Sequence, residues 1–244
     1  MTIAPLAFDA VDFSWAGHPA LREISFTVPE NCVTVVTGPA GSGKSTLLRL
    51  LATLESDYRG AISHSGRELH DLTKQELKKI RQEMGVVLNP LGNFDWLSAE
   101  AALQFVLDCK GESHQERVGA VLREVGLADA QKLFPREMSG GMQKRLALAR
   151  AILLRPRVLL LDDPTAGLDP VTGREILDLI ANLKGTSTIV FATSDVANVR
   201  RLADTVIFLV GGRILFNGGL ESFLSSSDAS VRQFLLGLTE GPIA

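Results

Sequence analysis

Apolar and polar positions along the chain alternate between strand-like and helix-like spacing. Four short runs rich in β-branched residues are bounded by turn residues, as strands buried on both faces should be: "CVTVVTG", "VLLLDD", "TIVFAT" and "TVIFLV". Helical patterns lie between apolar runs, which predicts a mainly parallel sheet with crossover helices. We therefore predict an α/β fold with these four runs as its central strands.

Two regions depart from that pattern. Early in the chain, "PLAFDAVDFSW" and "ALREISFTV" flank the turn "AGHP", and "GAISHSG" and "MGVVL" add strands, which predicts an antiparallel β subdomain beside the core. Between Ser98 and Pro135 helical spacing takes over, which predicts an inserted α-helical subdomain. "SSSDAS" at 225–230 is predicted to be a loop before a final helix.

The final helix carries an apolar stripe at positions i, i+3, i+4 and i+7, formed by Val231, Phe234, Leu235 and Leu238. Such a stripe needs a surface to cover it. The pattern alone leaves two possibilities open, a partner protein or the chain's own core.

Composition narrows the class of protein. The 244 residues are 45% hydrophobic and 22% charged, enough for one large domain or a core domain carrying a smaller one. The net charge of −3 gives no support for binding nucleic acid or an acidic membrane surface. Cys32 and Cys109 lack metal-ligand or redox spacing, which fits a reducing compartment. Because no apolar run approaches the roughly 20 residues that span a bilayer, we expect a cytosolic location.

The strongest local motif is the glycine-rich stretch "GPAGSGKST", which follows an apolar strand, precedes a helix and matches G-x-x-x-x-G-K-[ST]. The backbone N–H groups of such a loop and the positive end of the helix hold phosphate oxygens. Lys44 is expected to reach the β and γ phosphates, and Ser45 to offer its hydroxyl to Mg²⁺. The predicted nucleotide-binding residues of this loop are Gly38, Pro39, Ala40, Gly41, Ser42, Gly43, Lys44, Ser45 and Thr46.

A pair of carboxylates ends the apolar strand in "LLLDDPTAGLD". A P-loop needs a second magnesium contact, which typically comes from an aspartate at the end of a neighbouring strand. Asp162 is therefore the predicted partner of Ser45 at the metal. Capping of the next helix is its alternative role.

A second glycine-rich element, "MSGGMQKRLALARAILLRP", begins another amphipathic helix whose N-terminus could hold an anion. Together these motifs resemble the ATP-binding cassette (ABC) family, whose signature "LSGGQ" is similar to "MSGGMQ". The resemblance implies a P-loop NTPase of ABC type that binds ATP and Mg²⁺. It also implies a head-to-tail pair of cassettes, in which each signature clamps the γ phosphate of ATP at the other's P-loop. Its implied nucleotide contacts in the signature are Ser139, Gly140, Gly141 and Gln143.

The resemblance extends to other segments. Trp15 in "FSWAGHPAL" stands where the family stacks an aromatic on adenine, with core packing as the alternative. "AGLDP" with Asp169 resembles the D-loop that crosses the dimer seam, and "GGRILFNG" resembles the closing strands of the core. The implied organisation is a P-loop core with the β subdomain (1–88), a helical subdomain with the signature (89–155), the continued core (156–218) and a C-terminal helical tail (219–244).

Three departures from the family pattern bear on hydrolysis, and by resemblance all three are catalytic positions. Asp163 stands in place of a glutamate that polarises water, Asn89 in place of a glutamine that contacts magnesium, and Ser194 in place of a histidine that contacts the γ phosphate. The aspartate and the asparagine are each shorter by one methylene, about 1.5 Å. Misplacement on that scale costs on the order of a hundredfold in rate. We predict slowed hydrolysis, with compensation by backbone shifts as the alternative.

The resemblance also implies partners: a second cassette, identical or different, and integral membrane permease subunits. Phe94, Trp96 and Leu97 lie where the family docks its permease and are candidate anchors, unless they are buried in the chain itself. No nucleic-acid partner is expected.

The sequence "SGGMQKR" and the sequence of the tail resemble those of the ATPase of the maintenance-of-lipid-asymmetry system, which serves MCE-type phospholipid transporters. In that system the C-terminal extension of the ATPase reaches across the homodimer. The implied setting is the cytoplasmic face of a bacterial inner membrane, with an MCE-type lipid-binding protein. Two alternatives stay open. One is an ABC transporter for another cargo, such as an amino acid, a metal or a drug, and the other is an ATP-dependent switch in DNA repair or translation.

Overall fold

In the computed structural model of the protein, residues 6–111 and 115–243 are described, and they form two sheets and the helices around them. The strands are β1 (Leu6–Trp15), β2 (His18–Val28), β3 (Val33–Thr37), β4 (Tyr58–His64), β5 (Arg67–Glu68), β6 (Met84–Val87), β7 (Val158–Asp162), β8 (Thr188–Thr193), β9 (Thr205–Val210) and β10 (Arg213–Gly219). The helices are α1 (Lys44–Leu51), α2 (Lys74–Gln82), α3 (Ala99–Lys110), α4 (Gln115–Glu124), α5 (Gly140–Ile152), α6 (Pro170–Ala181), α7 (Val196–Leu202), α8 (Leu220–Leu224) and α9 (Ala229–Leu236).

The main sheet contains the four predicted central strands side by side. Its order within the described residues is β10-β9-β3-β8-β7-β6, parallel except for β10. Every residue of β3, β7 and β8 is buried, because helices cover both faces of the sheet. The α/β fold predicted from the apolar runs is therefore confirmed. Since the parallel strands end at one edge, Thr37, Asp162 and Thr193 lie at the same edge of the sheet.

The smaller sheet is antiparallel, as predicted, with the order β2-β1-β4-β5. The assignment of "MGVVL" to this subdomain is wrong, because β6 pairs in parallel with β7 at the edge of the main sheet. Helix α1 lies between the two sheets. Its Leu47 and Leu50 belong to a hydrophobic cluster that includes Phe8 of the small sheet and Leu160 of the main sheet. The helix that follows the glycine-rich loop is thus fixed between the two sheets by buried apolar contacts.

The predicted helical insertion is formed by α3 and α4, which pack on the same face of the main sheet as α5. Leu103 and Leu122 join Leu148 and Leu159 in one buried cluster. Ser98 caps α3 by accepting the N–H of Ala101, and the helix ends at Gly111, whose φ of 72° is left-handed. No helix within the described part of the chain combines the length and the apolar content needed to cross a membrane.

The C-terminal tail folds back on the protein's own core. Val231 is fully buried, and the ring of Phe234 lies 5.1 Å from that of Phe208. Helix α9 begins at Ala229, within the stretch predicted to be a loop, because the Asp228 side chain accepts the N–H groups of Ser230 and Val231. The following residues turn back and bond to the buried amide of Gln233. Leu238, at the end of the predicted stripe, is 54% exposed.

Candidate functional site

The glycine-rich loop between β3 and α1 is packed against the turn between β9 and β10. Gly38 has a φ of 145°, and a Cβ there would lie 2.0 Å from the carbonyl oxygen of Leu209. Gly43, with a φ of 105°, directly precedes α1. The N–H of Gly212 donates to the carbonyl of Ser42 at 3.2 Å. Only glycine fits these close approaches, so the motif spacing found in the sequence follows from backbone packing.

Lys44 places its ammonium group inside this loop. Nζ donates to the carbonyls of Gly38 and Pro39, each at 2.8 Å. Burial lowers the pKa of Lys44, while the nearby carboxylates of Asp163 and Asp162 favour its charged form. The loop therefore contains a cation held by carbonyl oxygens, next to two acids.

Asp162 ends β7 directly beside the loop and is 6% exposed. Burial raises the pKa of Asp162, while the nearby Ser45 hydroxyl, the Lys44 ammonium and the backbone N–H of Asn89 oppose that rise. Mg²⁺ prefers hard oxygen ligands and usually takes one or two from the protein. The hydroxyl and the carboxylate fit that ion. The capping alternative for Asp162 does not hold at α6, whose N-terminus is capped by Asp169.

Asp163 adopts a left-handed backbone conformation with a φ of 46°. Its N–H donates to the carbonyl of Ala192 at 2.9 Å, and its Oδ1 accepts the Thr193 hydroxyl at 3.4 Å. Burial raises the pKa of Asp163, and the ammonium of Lys144 opposes that rise. Aspartate tolerates the left-handed region several-fold better than most residues, which gives a local reason for an aspartate at this position.

The other two departures from the family pattern, Asn89 and Ser194, follow the ends of β6 and β8, the strands on either side of β7. Asn89 comes after β6, with an exposed side chain and a backbone N–H near enough to Asp162 to favour its charged form. Ser194 comes directly after β8 and is exposed. The strand order therefore brings both to the edge that carries the two acids. Their catalytic roles stay predictions.

Trp15 lies beside the start of α1 and is 41% exposed, so it is not a core residue. Its Nε1 donates to the Thr46 hydroxyl at 3.1 Å, the edge of its ring meets Phe13, and the guanidinium of Arg49 lies 5.6 Å from its ring centre. These contacts fix the orientation of the indole. They leave part of its surface accessible beside the loop.

A cavity of about 530 Å³ joins Trp15 to the glycine-rich loop. Several residues that line this cavity were not predicted from the sequence. One signal was available for His18, because "WAGH" predicts a tight hairpin that pairs it with Trp15, as the register confirms. The missed lining residues are His18, Pro19, Ala20, Arg22, Gly211 and Gly212.

The signature motif lies away from the P-loop of the same chain. Ser139 caps α5 by accepting the N–H of Met142 at 3.3 Å, and Ser139 and Gly141 line a separate cavity of about 390 Å³. This cavity shares no lining residue with that of the P-loop. The Gln143 amide donates to the carbonyls of Pro135 and Met138, so it faces the preceding loop. Its predicted nucleotide contact stays a prediction.

A larger cavity, about 740 Å³, lies along the antiparallel sheet. It shares Pro19 and Arg22 with the P-loop cavity but contains no residue of the glycine-rich motifs or of the acidic pair. Size alone therefore does not identify the site, and the motif residues favour the cavity beside Trp15.

Comparison with known proteins agrees with this geometry. Residues 21–166 match the ABC transporter family. The glutamate transport ATP-binding protein GluA of Corynebacterium efficiens is 35% identical over 89% of this chain and 92% of its own. The intermembrane phospholipid transport system ATP-binding protein MlaF of Escherichia coli is 33% identical over 96% of this chain and 89% of its own.

A solved structure is also similar. The dimeric bacterial ABC transporter cassette MJ0796 superimposes with a TM-score of 0.81 and 27% identity, covering 88% of this chain and 98% of the cassette. The same cassette in a post-hydrolysis state, bound to ADP and Pi, gives a TM-score of 0.80. The P-loop, the acidic pair and these matches together identify the chain as a member of the ABC transporter family, with an ABC-type ATPase site.

Proposed function

We propose that this chain binds ATP with Mg²⁺ at the P-loop cavity and hydrolyses it with Asp163 as the acid that orients the attacking water. The observation that carries the proposal is the arrangement of Lys44, Ser45, Asp162 and Asp163 around one loop. Positive charge, hard oxygen ligands and a second carboxylate are what phosphoryl transfer to water requires.

Each side chain has a distinct task in this proposal. The loop amides and Lys44 hold the phosphates, and Trp15 stacks on the adenine. Ser45 and Asp162 hold Mg²⁺, with Asn89 beside them; the ion supplies charge neutralisation on the phosphate oxygens when it is bound. Asp163 accepts a proton from water, for which a pKa raised by burial is suitable.

Calorimetry and steady-state hydrolysis test these assignments. Lys44→Ala is expected to abolish MgATP binding, because it removes the cation inside the loop. Asp163→Asn is expected to bind MgATP like the wild type but to lose hydrolysis, because an amide cannot take the proton. Full affinity in Lys44→Ala would contradict the P-loop assignment, and full turnover in Asp163→Asn would contradict the role of Asp163.

We infer that two cassettes pair head to tail, so that Ser139, Gly140 and Gly141 of one chain meet ATP on the other. Two observations support this: the signature cavity is separate from the P-loop cavity, and the similar cassette MJ0796 is dimeric. A Cβ at Gly140 would meet no atom within 4 Å, so substitutions there should fold. Gly140→Glu should remove the ATP-dependent dimer in sedimentation experiments by repelling phosphate, whereas Gly140→Ala should keep it.

We propose that an aromatic patch formed by Phe94, Trp96 and Phe105 docks a permease subunit. Trp96 is 73% exposed and Phe105 48% exposed, and both rings lie within 5.6 Å of Phe94. The guanidinium of Arg150 lies over Phe94 at 5.0 Å and donates to Gly92, which fixes the patch on the helical subdomain. A rigid exposed aromatic group is typical of a binding anchor.

Trp96→Ala tests this docking surface. It should abolish co-purification with the membrane subunits and leave MgATP affinity unchanged, because the patch shares no residue with the nucleotide cavity. A second exposed apolar residue, Val171, is 70% exposed on α6, and Val171→Ala serves as the matched control. Loss of the complex in both variants, or in neither, would contradict the assignment.

We propose a phospholipid cargo, handled with an MCE-type lipid-binding protein at a bacterial inner membrane. The sequence "SGGMQKR" and the similarity to MlaF support a phospholipid cargo. The GluA relative, at 35% identity, favours an amino-acid cargo as the second candidate. Mass spectrometry of the detergent-extracted complex separates the two: bound phospholipid and an MCE-type subunit support the first, and a solute-binding protein for amino acids supports the second.

A further inference from the structure

Two buried polar side chains lie behind Asp163 and do not line the nucleotide cavity. Thr193 is fully buried at the end of β8, and Asn198 on α7 is 5% exposed. The Asn198 side-chain amide donates to the Thr165 hydroxyl at 2.8 Å and to the Thr193 hydroxyl at 3.4 Å. One amide group therefore connects the loop after Asp163 with the strand end that precedes Ser194.

The hydrogen bonds around Thr193 determine where its proton points. A threonine hydroxyl has one proton to donate and two lone pairs that accept. The backbone N–H of Asp195 donates to it at 3.1 Å, and the Asn198 amide is the second donor. With both lone pairs occupied, the proton is directed at Oδ1 of Asp163, 3.4 Å away. This last bond is near the outer limit for a hydrogen bond, so a small rotation of the hydroxyl would break it.

We propose that Asn198 is a positioning residue for ATP hydrolysis. It orients the Thr193 hydroxyl toward Asp163, and it holds Thr165, in the loop after β7, beside the end of β8. The inference rests on the proposed role of Asp163. Asn198 acts only through its neighbours, since it reaches the carboxylate through Thr193. Because the carboxylate must be aligned with the attacking water, a freely rotating carboxylate would slow ATP hydrolysis without weakening nucleotide binding.

The same amide also couples two segments that the sequence separates. Thr165 directly precedes "AGLDP", the segment that resembles the D-loop at the dimer seam, and Thr193 adjoins the switch position Ser194. A displacement of either segment would pull on the Asn198 amide and so reorient the Thr193 hydroxyl. The acid of this chain would thereby respond to how its own seam loop is held.

The test compares kcat and KM for ATP in the full chain carrying Asn198→Leu, Thr193→Val or both. Leucine keeps the branching of asparagine at Cγ and removes the N–H donors, and valine keeps the shape of threonine and removes the hydroxyl. Each single variant should lower kcat about tenfold with KM within about twofold. The double variant should be no slower than about tenfold, because both changes break one chain of hydrogen bonds.

Three measurements separate positioning from a loss of folding. Rates are expressed per chain that binds MgATP, as counted by calorimetry, so unfolded protein does not count. Thr193→Ser, which restores the hydroxyl, should hydrolyse at least about fivefold faster than Thr193→Val. Thr186→Val removes a surface hydroxyl that bonds only to Leu183 among the contacts described, and should match the wild type.

The inference is overturned if Asn198→Leu keeps kcat within about twofold of the wild type while Asp163→Asn is inactive. It is also overturned if the double variant shows the product of the two single losses, since the residues would then act independently. If Asp163→Asn hydrolyses ATP like the wild type, the role of Asp163 fails, and this inference fails with it.

Discussion

Lengthening the acid at position 163 gives the sharpest test of the catalytic arrangement. Asp163→Glu adds one methylene and moves the carboxylate forward by about 1.5 Å. Among the contacts described, the carboxylate has one side-chain hydrogen bond, from the Thr193 hydroxyl at 3.4 Å, which the longer side chain must re-form from its new position. If hydrolysis is slow because the acid falls short, correct placement should raise the rate by up to about a hundredfold.

The backbone limits that gain. Asp163 has a φ of 46°, a conformation that aspartate tolerates better than glutamate. The difference amounts to about 1 kcal/mol, or about fivefold if all of it opposes the transition state. We therefore expect kcat to rise by up to about twentyfold in a steady-state phosphate-release assay, with MgATP affinity unchanged.

Asp163→Asn is the matched control, because it has the same length as the wild type and no basic oxygen pair. A kcat for Asp163→Glu equal to or below that of the wild type would refute the idea that the aspartate is too short. It would favour the alternative, in which backbone shifts already place the shorter acid correctly.

Two further predictions follow from buried contacts. Gly38→Ala should abolish MgATP binding in calorimetry, because its Cβ would lie 2.0 Å from the Leu209 carbonyl oxygen and force the loop to move. The control Gly140→Ala, with no atom within 4 Å of its Cβ, should bind MgATP normally. Tight MgATP binding by Gly38→Ala would be inconsistent with the loop geometry. Burial lowers the pKa of His64 below its usual 6.5, so the imidazole takes up its proton at a higher pH in the unfolded chain than in the folded one. The free energy of unfolding should therefore fall as pH drops below about 6.5. In denaturant titrations at pH 7 and pH 5, His64→Gln should show a smaller fall than the wild type, and an equal fall would refute this role of His64.

Much of the main sheet and the nucleotide loop could be predicted because one local cause produces each signal. Strands buried on both faces read as continuous apolar runs, and Gly38 is required by the close approach of Leu209. Asp162 could be placed at the edge because parallel strands end together. Asn89 and Ser194 were predicted only through the resemblance to the ABC family, and the strand order then brings both to that edge.

Contacts between side chains distant in sequence could not be predicted. Nothing in "FATSDVANV" indicates that Asn198 turns inward to Thr165, because a buried amide on a short helix has no periodic signal. The left-handed backbone of Asp163 was equally hidden, although it favours the residue that looked like a departure. The tail stripe was ambiguous because an amphipathic pattern does not identify the surface that covers it, here the ring of Phe208.

The packing of the phosphate loop against a late hairpin has a consequence for synthesis on the ribosome. The carbonyl of Leu209 and the N–H of Gly212 shape a loop that is translated about 170 residues earlier, and β3 pairs with β9 on one side. A nascent chain that has not yet released residues 205–212 lacks that support. Nucleotide can therefore stabilise this protein only after residues 205–212 have left the ribosome, and products truncated before them should remain unprotected substrates for proteolysis even when ATP is abundant.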